Sequence, residues 1–126
     1  MKVHLLILGL FVAHSTAVFA DVRKPAMTCQ AISRTLDEKN NTVEKSTELA
    51  VTIVSNEQVK HEADLEGHFF ALTEDASGDL FAQITTAPKY TKGTVVRGAA
   101  DSLGRFTATE VVGYTIYRLE CNRIQN

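Results

Sequence analysis

The feature that most constrains this 126-residue chain is a succession of short β-type runs that continues almost to its C-terminus. Val, Ile, Thr, Phe and Tyr are concentrated in these runs, and Gly, Asn, Asp and Ser separate them. Residues 57–65 alternate apolar and charged side chains, with His61 in phase with the apolar ones. A period of two predicts strands with one buried face, and the helical period is almost absent after residue 20.

Turn signals divide the runs into eight predicted strands. Gly67 and residues 75–78 are typical of tight turns, and Pro88 ends a strand because proline has no N–H to donate. A polar stretch at 37–42 ends the first strand. The predicted strands are 27–35, 46–54, 57–65, 68–74, 79–87, 94–99 and 105–124, the last of them broken into two near Gly113. Such closely spaced turns favour an antiparallel meander.

Cys29 and Cys121 are the only cysteines, and they lie near the two ends of this β-region. A disulfide between them requires their Cα atoms to lie within about 7 Å of each other. In an up-and-down meander, that is possible only if the number of strands is even. We therefore predict a structural disulfide in an all-β meander of about eight strands that forms a closed or nearly closed barrel. A two-sheet sandwich is the alternative.

Residues 1–20 have the pattern of a cleaved signal peptide. Lys2 precedes an apolar run at 3–13, and Val18 and Ala20 suit the small-residue rule of a signal-peptidase site. The run is too short to be a retained membrane anchor, which needs about 20 residues. We expect a signal peptide at 1–20 and a single β-domain at 21–126. The protein would be exported, either periplasmic or extracellular, with no membrane span in its mature form.

The charge balance disfavours several classes of function. The net charge is −2, and removal of residues 1–20 takes away only Lys2, which makes it −3. A mildly acidic domain argues against nucleic-acid binding, which requires clustered positive charge. An outer-membrane barrel is disfavoured because the outward face of residues 57–65 is charged.

Sequence motifs of enzymes are missing. The sequence contains no HExxH zinc motif, no nucleophile elbow and no phosphate-binding glycine loop. We therefore expect a protein without enzymatic activity and without a cofactor. A secreted hydrolase is the least favoured function.

His61 is the candidate inward polar residue. On the buried face it would line a cavity, titrate near neutral pH or form an ordinary core hydrogen bond, and the last of these is the favoured interpretation. His68, Asp64 and Glu66 are close to it in sequence, but Asp64 has the opposite phase. No metal site is predicted.

The loop at 88–93 is the candidate binding loop. It places Tyr90 between Lys89 and Lys92, and an aromatic residue flanked by cations is a typical anchor for an acidic partner. The acidic turn at 75–79 is a second candidate. It lacks the glycine and glutamate spacing of an EF-hand, so it is interpreted as a hairpin turn.

These observations favour a binding or inhibitory module that acts through barrel-rim loops, with another protein or a surface polymer as its partner. The alternatives are a small-ligand carrier, with His61 lining a pocket inside the barrel, and an envelope structural or accessory protein. The sequence leaves the identity of the partner and the oligomeric state open. It also leaves open whether Asn40, which begins an N-x-T sequon, carries a glycan.

Overall fold

The computed structural model describes residues 23–88 and 90–125. The predicted signal peptide and Lys89 lie outside these residues. The described chain forms nine strands: β1 (Met27–Leu36), β2 (Thr42–Glu48), β3 (Ala50–Ser55), β4 (Gln58–Leu65), β5 (His68–Asp75), β6 (Leu80–Thr86), β7 (Gly93–Gly98), β8 (Arg105–Val112) and β9 (Thr115–Arg123). No helix that is long and apolar enough to cross a membrane is present in these two ranges.

The strands form two antiparallel sheets, which confirms the predicted all-β antiparallel architecture. One sheet has the order β2-β1-β9-β8 and the other has the order β3-β4-β5-β6-β7. Every ladder joins strands that are consecutive in sequence, except for the pairing of β1 with β9. The predicted closed barrel is wrong. Over the described part of the chain, no ladder joins β2 to β3 or β7 to β8.

A corner at Leu49 explains both the extra strand and the absence of closure. The sequence predicts one strand at 46–54, but β2 ends at Glu48 and β3 begins at Ala50 in the other sheet. The Leu49 side chain is buried, and its N–H donates to the carbonyl oxygen of Cys29 at 3.1 Å. β2 and β3 are thus two halves of one pass along the molecule. The nine strands make eight passes, an even number, so the two cysteines still lie at the same end. The two halves of this pass diverge and leave an open seam.

The hydrophobic core lies between the two sheets and is built from alternate residues of their inner strands. In β5 the inward residues are His68, Phe70, Leu72 and Glu74. Both sheets contribute to one cluster, which contains Met27, Cys29, Ala31, Leu49, Phe70, Leu72, Leu80, Ala82, Ile84, Phe106, Ala108, Tyr117, Leu119 and Cys121. Burial of each large apolar side chain contributes about 1.5–3 kcal/mol to folding.

Cys29 and Cys121 form the predicted disulfide. They are direct partners in the β1–β9 ladder, with Cα atoms 4.1 Å apart. The bond therefore joins the first strand to the last across 92 residues of sequence. In the chain-entropy account, closing a loop of that length destabilises the unfolded chain by about 4–5 kcal/mol.

Three turns between consecutive strands use the same aspartate arrangement. In each, one carboxylate oxygen accepts hydrogen bonds from the backbone N–H groups two and four residues later, at 2.8–2.9 Å. The third residue after the aspartate has a positive φ, which favours Gly or Asn. The aspartates are Asp37, Asp75 and Asp101, and the positive-φ residues are Asn40, Gly78 and Gly104. The candidate loop at 75–79 is thus a hairpin turn whose carboxylate is engaged by its own backbone.

Candidate functional site

Antiparallel pairing sorts the turns to two opposite ends of the molecule. The loop end contains the turns at 37–41, 66–67 and 113–114, together with residues 87–88 and 90–92. The disulfide end contains residues 23–26, the turns at 56–57, 76–79 and 99–104, and the Cys29–Cys121 bond. Each end contains one inward His–Glu pair, and the two pairs differ in whether the histidine and the glutamate are hydrogen-bonded to each other.

At the disulfide end, His61 of β4 and Glu74 of β5 are fully buried, with 2.5 Å between His61 Nε2 and Glu74 Oε2. Glu74 also accepts hydrogen bonds from the N–H groups of Ala26 at 2.9 Å and Met27 at 3.3 Å, and Arg23 Nη2 lies 3.7 Å from its Oε1. Burial raises the pKa of Glu74, but the hydrogen bonds from His61 and these amides outweigh it and hold the pKa below its ordinary value. The network ties β4 and β5 to the start of β1.

The network gives His61 a hydrogen-bonding role in the core. An ionised carboxylate only accepts, so Nε2 of His61 carries the donated proton. His61 Nδ1 is buried and has no hydrogen-bond partner within residues 23–88 and 90–125. His61 lines none of five surface clefts found among the described residues. A small-ligand carrier would need His61 to line a cavity, and none of these clefts provides that contact.

At the loop end, the histidine and the glutamate of the second pair are not hydrogen-bonded to each other. His68 of β5 is buried, stacks on Tyr117 with ring centroids 3.6 Å apart, and places Nδ1 3.2 Å from the carbonyl oxygen of Glu66. Its Nε2 lies 3.4 Å from Thr86 Oγ1 and 3.6 Å from Glu110 Oε2, and the second distance is too long for a hydrogen bond. Glu110 Oε2 is buried and has no hydrogen-bond partner among the described residues.

The other ionisable residues near His61 in sequence are kept apart. Asp64 is exposed on the outer face, and Glu66 lies in a turn where its carboxylate pairs with Lys45 at 2.9 Å. His61 and His68 face the core at opposite ends of the five-stranded sheet. In the part of the chain that the structure describes, no three His, Cys, Asp or Glu side chains are grouped to hold a metal ion.

The predicted binding loop lies at the loop end. Tyr90 packs edge-on against Phe69 on the outer face of the five-stranded sheet, with ring centroids 5.7 Å apart, and 47% of the residue is exposed. Its N–H donates to the carbonyl oxygen of Thr86 at 2.9 Å. Lys92 is exposed, and Lys89 lies outside the described residues. Tyr90 is thus held by one face and available for contact on the other.

A larger apolar surface lies on the outer face of the four-stranded sheet and continues onto the β8–β9 turn. This hairpin surface consists of Leu36, Val111, Tyr114 and Ile116, which are 47%, 65%, 84% and 42% exposed. Val111 and Ile116 are cross-strand partners, and the N–H of Leu36 donates to the carbonyl oxygen of Tyr114 at 3.2 Å. Contiguous exposed apolar residues mark binding sites where scattered ones do not.

Two shallow clefts border the hairpin surface. The first, of about 310 Å³, is lined by Leu36, Asp37, Glu38, Asn40 and Tyr114. The second, of about 180 Å³, lies on the sheet face and is lined by Ile32, Arg34, Thr109, Val111, Ile116, Arg118 and Glu120. Both clefts place apolar side chains beside charged ones, which suits contact with a partner of mixed polarity.

Sequence analysis does not single out the hairpin surface. It predicts residues 105–124 as strands broken near Gly113, and their outward residues carry no recognisable motif. A signal is nevertheless present at 111–114, where Val-Val-Gly-Tyr sets apolar residues around a turn. The aspartate turns at 37–40, 75–78 and 101–104 are mostly polar by comparison.

No protein-family model, curated protein or solved structure matches this chain.

Proposed function

We propose that this protein is an exported binding or inhibitory module whose recognition site is the loop end. The hairpin surface is its main anchor, and another protein is its partner. The exposure of Tyr114 carries the proposal, because 84% of this residue is accessible at the tip of a tight turn, among exposed apolar neighbours. Tyr offers a large apolar area with a polar tip and few rotatable bonds, so it is enriched among interface anchors.

The charged residues beside the hairpin surface support a protein partner over a charged polymer. Arg34 pairs with Glu44 at 2.7 Å and Arg118 pairs with Glu120 at 3.1 Å, and all four side chains are at least about one-third exposed. Arginine is enriched at protein interfaces, where polar groups surround an apolar centre. Because each arginine is matched by a glutamate, the surface presents no net positive field that would attract a polyanion.

Tyr90 supplies a second aromatic contact at the same end. Its loop follows β6 in the five-stranded sheet, whereas Tyr114 belongs to the four-stranded sheet. Tyr114 offers a partner the larger accessible fraction, 84% against 47% for Tyr90. The binding loop expected from the sequence thus becomes an accessory contact in this proposal.

The disulfide supports the proposed export. Disulfides persist in the periplasm and outside the cell, and thiols are kept reduced in most cytosols. We propose that residues 1–20 are removed as a signal peptide and that the mature protein acts in the periplasm or outside the cell.

Capture of partner proteins tests the proposal. The immobilised protein is incubated with the envelope fraction and the culture fluid of its source, and retained proteins are quantified by mass spectrometry. We expect at least one protein to be enriched, and we expect Tyr114→Ser to reduce its retention about tenfold or more. Truncation of an anchor aromatic commonly costs at least about 1.4 kcal/mol of binding free energy, which corresponds to that factor.

Tyr90→Ser is the matched control, because it makes the same truncation at the other exposed tyrosine of the loop end. If Tyr114→Ser still retains the captured protein and Tyr90→Ser does not, the recognition site is the 88–93 loop and not the hairpin surface. If no captured protein depends on either tyrosine, the binding proposal is wrong. Unfolding of both variants near the wild-type temperature shows that any loss of capture arises at the surface.

A further inference from the structure

The two open seams leave four strands with an unpaired edge: β2 and β3 at one seam, β7 and β8 at the other. An unpaired edge is a template for another strand, and natural proteins protect such edges with charged residues. β2 contains Glu44 and Lys45, β7 contains Arg97, and β8 contains Arg105. The sequence of β3 is AVTIVS, with no charged residue. β3 is therefore the one edge among these four without charge protection.

β3 also exposes its apolar side chains, and its three largest residues are 42–50% exposed. Val51 is the cross-strand partner of His61, and Ile53 is the partner of Val59. Both partners on β4 are fully buried, so Val51 and Ile53 share the inward face of the five-stranded sheet. They remain exposed because the four-stranded sheet diverges from β3 at Leu49.

We propose that β3 is a homodimer interface, in which two copies of the chain pair their β3 strands in antiparallel fashion around Thr52. The five-stranded sheets of the two copies then form one continuous sheet. In this register Thr52 faces Thr52 of the second copy, and Val51 faces Ile53 of the second copy. All three positions are β-branched, and such residues form the favoured cross-strand pairs.

The rest of β3 fits the same two-fold register. Ala50 comes opposite Val54 of the second copy, so no charged residue of β3 faces another. The register shift in the β3–β4 ladder lies between Ile53 and Ser55, outside the central residues 51–53. A strand that is complementary to itself in this way favours a second copy as its partner, because a two-fold interface uses the same surface on both subunits.

The interface is separate from the proposed binding site. β3 is an edge of the five-stranded sheet, whereas the hairpin surface belongs to the outer face of the four-stranded sheet. A dimer through β3 leaves both copies of Tyr114 free, so each molecule would present two hairpin surfaces. Failure of the dimer therefore leaves the capture experiment unaffected, and failure of capture leaves the dimer unaffected.

Sedimentation velocity of the purified, oxidised protein over a wide concentration series tests the interface. We expect a reversible monomer–dimer equilibrium, and we expect Thr52→Glu to weaken it at least about tenfold, which corresponds to about 1.4 kcal/mol. The introduced carboxylate faces Lys60 across the β3–β4 ladder of its own chain, so the fold gains an opposite charge. In the dimer it meets the same carboxylate of the second copy.

Thr109→Glu is the matched control. Thr109 is exposed on the edge strand β8 and faces Arg118 across the β8–β9 ladder, so this substitution makes the same change with the same compensation within the chain. We expect it to dimerise like the wild type. A wild type that stays monomeric at every concentration would overturn the proposal. So would a dimer that Thr52→Glu leaves intact, or assembly into species larger than dimers.

A single introduced cysteine gives a second, covalent readout. The chain has no free cysteine among its described residues, so Thr52→Cys adds one reactive thiol. Directly opposed residues of an antiparallel pair have Cα atoms about 4.5–5.5 Å apart, within the range of a disulfide. We expect mild oxidation to produce a covalent dimer of Thr52→Cys and to leave Thr109→Cys monomeric. Equal cross-linking of the two variants would contradict the register.

Discussion

The two His–Glu pairs are built from the same residue types and lie at opposite ends of one interior, yet the histidine and glutamate are hydrogen-bonded to each other in only one of them. At the disulfide end, Glu74 accepts hydrogen bonds from His61 and from the N–H groups of Ala26 and Met27. At the loop end, 3.6 Å separates His68 Nε2 from Glu110 Oε2, and that oxygen has no hydrogen-bond partner within the described residues.

The difference separates stability from recognition. The disulfide end combines the Glu74 hydrogen-bond network with the covalent bond between β1 and β9, so disrupting either should cost more stability than a change at the loop end. The loop end lacks a hydrogen bond between His68 and Glu110 and exposes the apolar residues of the hairpin surface. Contiguous exposed apolar residues mark binding sites. We infer that the disulfide end holds the fold and the loop end is left free to bind.

Removal of the disulfide is the strongest test of this comparison. The double variant Cys29→Ser/Cys121→Ser should lose about 4 kcal/mol of unfolding free energy, because the unfolded chain regains the freedom of a long loop. Urea unfolding measures the loss. A reductant should reproduce the effect in the wild type and change nothing in the variant. A loss below about 1 kcal/mol would show that the disulfide end does not dominate stability.

Exchange of each glutamate for leucine compares the two pairs directly. Glu74→Leu leaves the buried N–H groups of His61 and Met27, and the partly buried N–H of Ala26, without their acceptor, so it should cost about 3 kcal/mol or more. Glu110→Leu removes an oxygen that has no hydrogen bond, so its cost should stay below about 1 kcal/mol. Chemical denaturation of both variants measures the difference, and equal costs would refute the comparison.

The pH dependence of stability sharpens the same contrast. Because the pKa of Glu74 is lowered in the folded protein, its contribution is complete above its ordinary value of 4.5 and is lost as the pH falls through the folded-state pKa. Glu74→Gln should therefore lose less stability than the wild type between neutral pH and pH values below 4.5. Asp75 and Asp101, whose pKa values are also lowered by hydrogen bonds in their turns, remain in both proteins. An unchanged pH profile in Glu74→Gln would contradict the role of this carboxylate.

Tyr114→Ser should have the smallest effect on stability. The side chain is 84% exposed, so its truncation should change the unfolding free energy by no more than about 0.5 kcal/mol. Thermal unfolding beside the capture experiment checks this expectation. A loss above about 1 kcal/mol would mean that the hairpin tip packs for stability, which would weaken its role as a free binding surface.

Local sequence signals predict most of the strands and the disulfide, but they do not show the corner. The alternation of Leu49, Val51 and Ile53 is unbroken in sequence, so it predicts one strand. In the structure Leu49 is buried between the sheets, whereas Val51 and Ile53 are exposed. Where a strand leaves one sheet for another depends on tertiary packing, which the period of two does not record.

The inward phase of His61 is readable from the alternation in 57–65, but its partner is not. Glu74 stands next to Asp75 in an acidic segment, which indicates a solvated turn. A glutamate is buried only when hydrogen bonds compensate for its desolvation, and here they come from β4 and from the start of β1. These donors are brought together by the fold, so the network is visible only in the structure.

The disulfide also decides what happens when the chain is cut. Every turn between strands lies between Cys29 and Cys121, so this part of the polypeptide is a covalent ring. A protease that cleaves once at any turn, including the exposed tip at Tyr114, opens the ring without releasing a fragment. The nicked molecule keeps its full mass on a non-reducing gel and separates into two pieces only after reduction. Single cleavage at the loop end would therefore leave both strands of the hairpin attached to the rest of the protein.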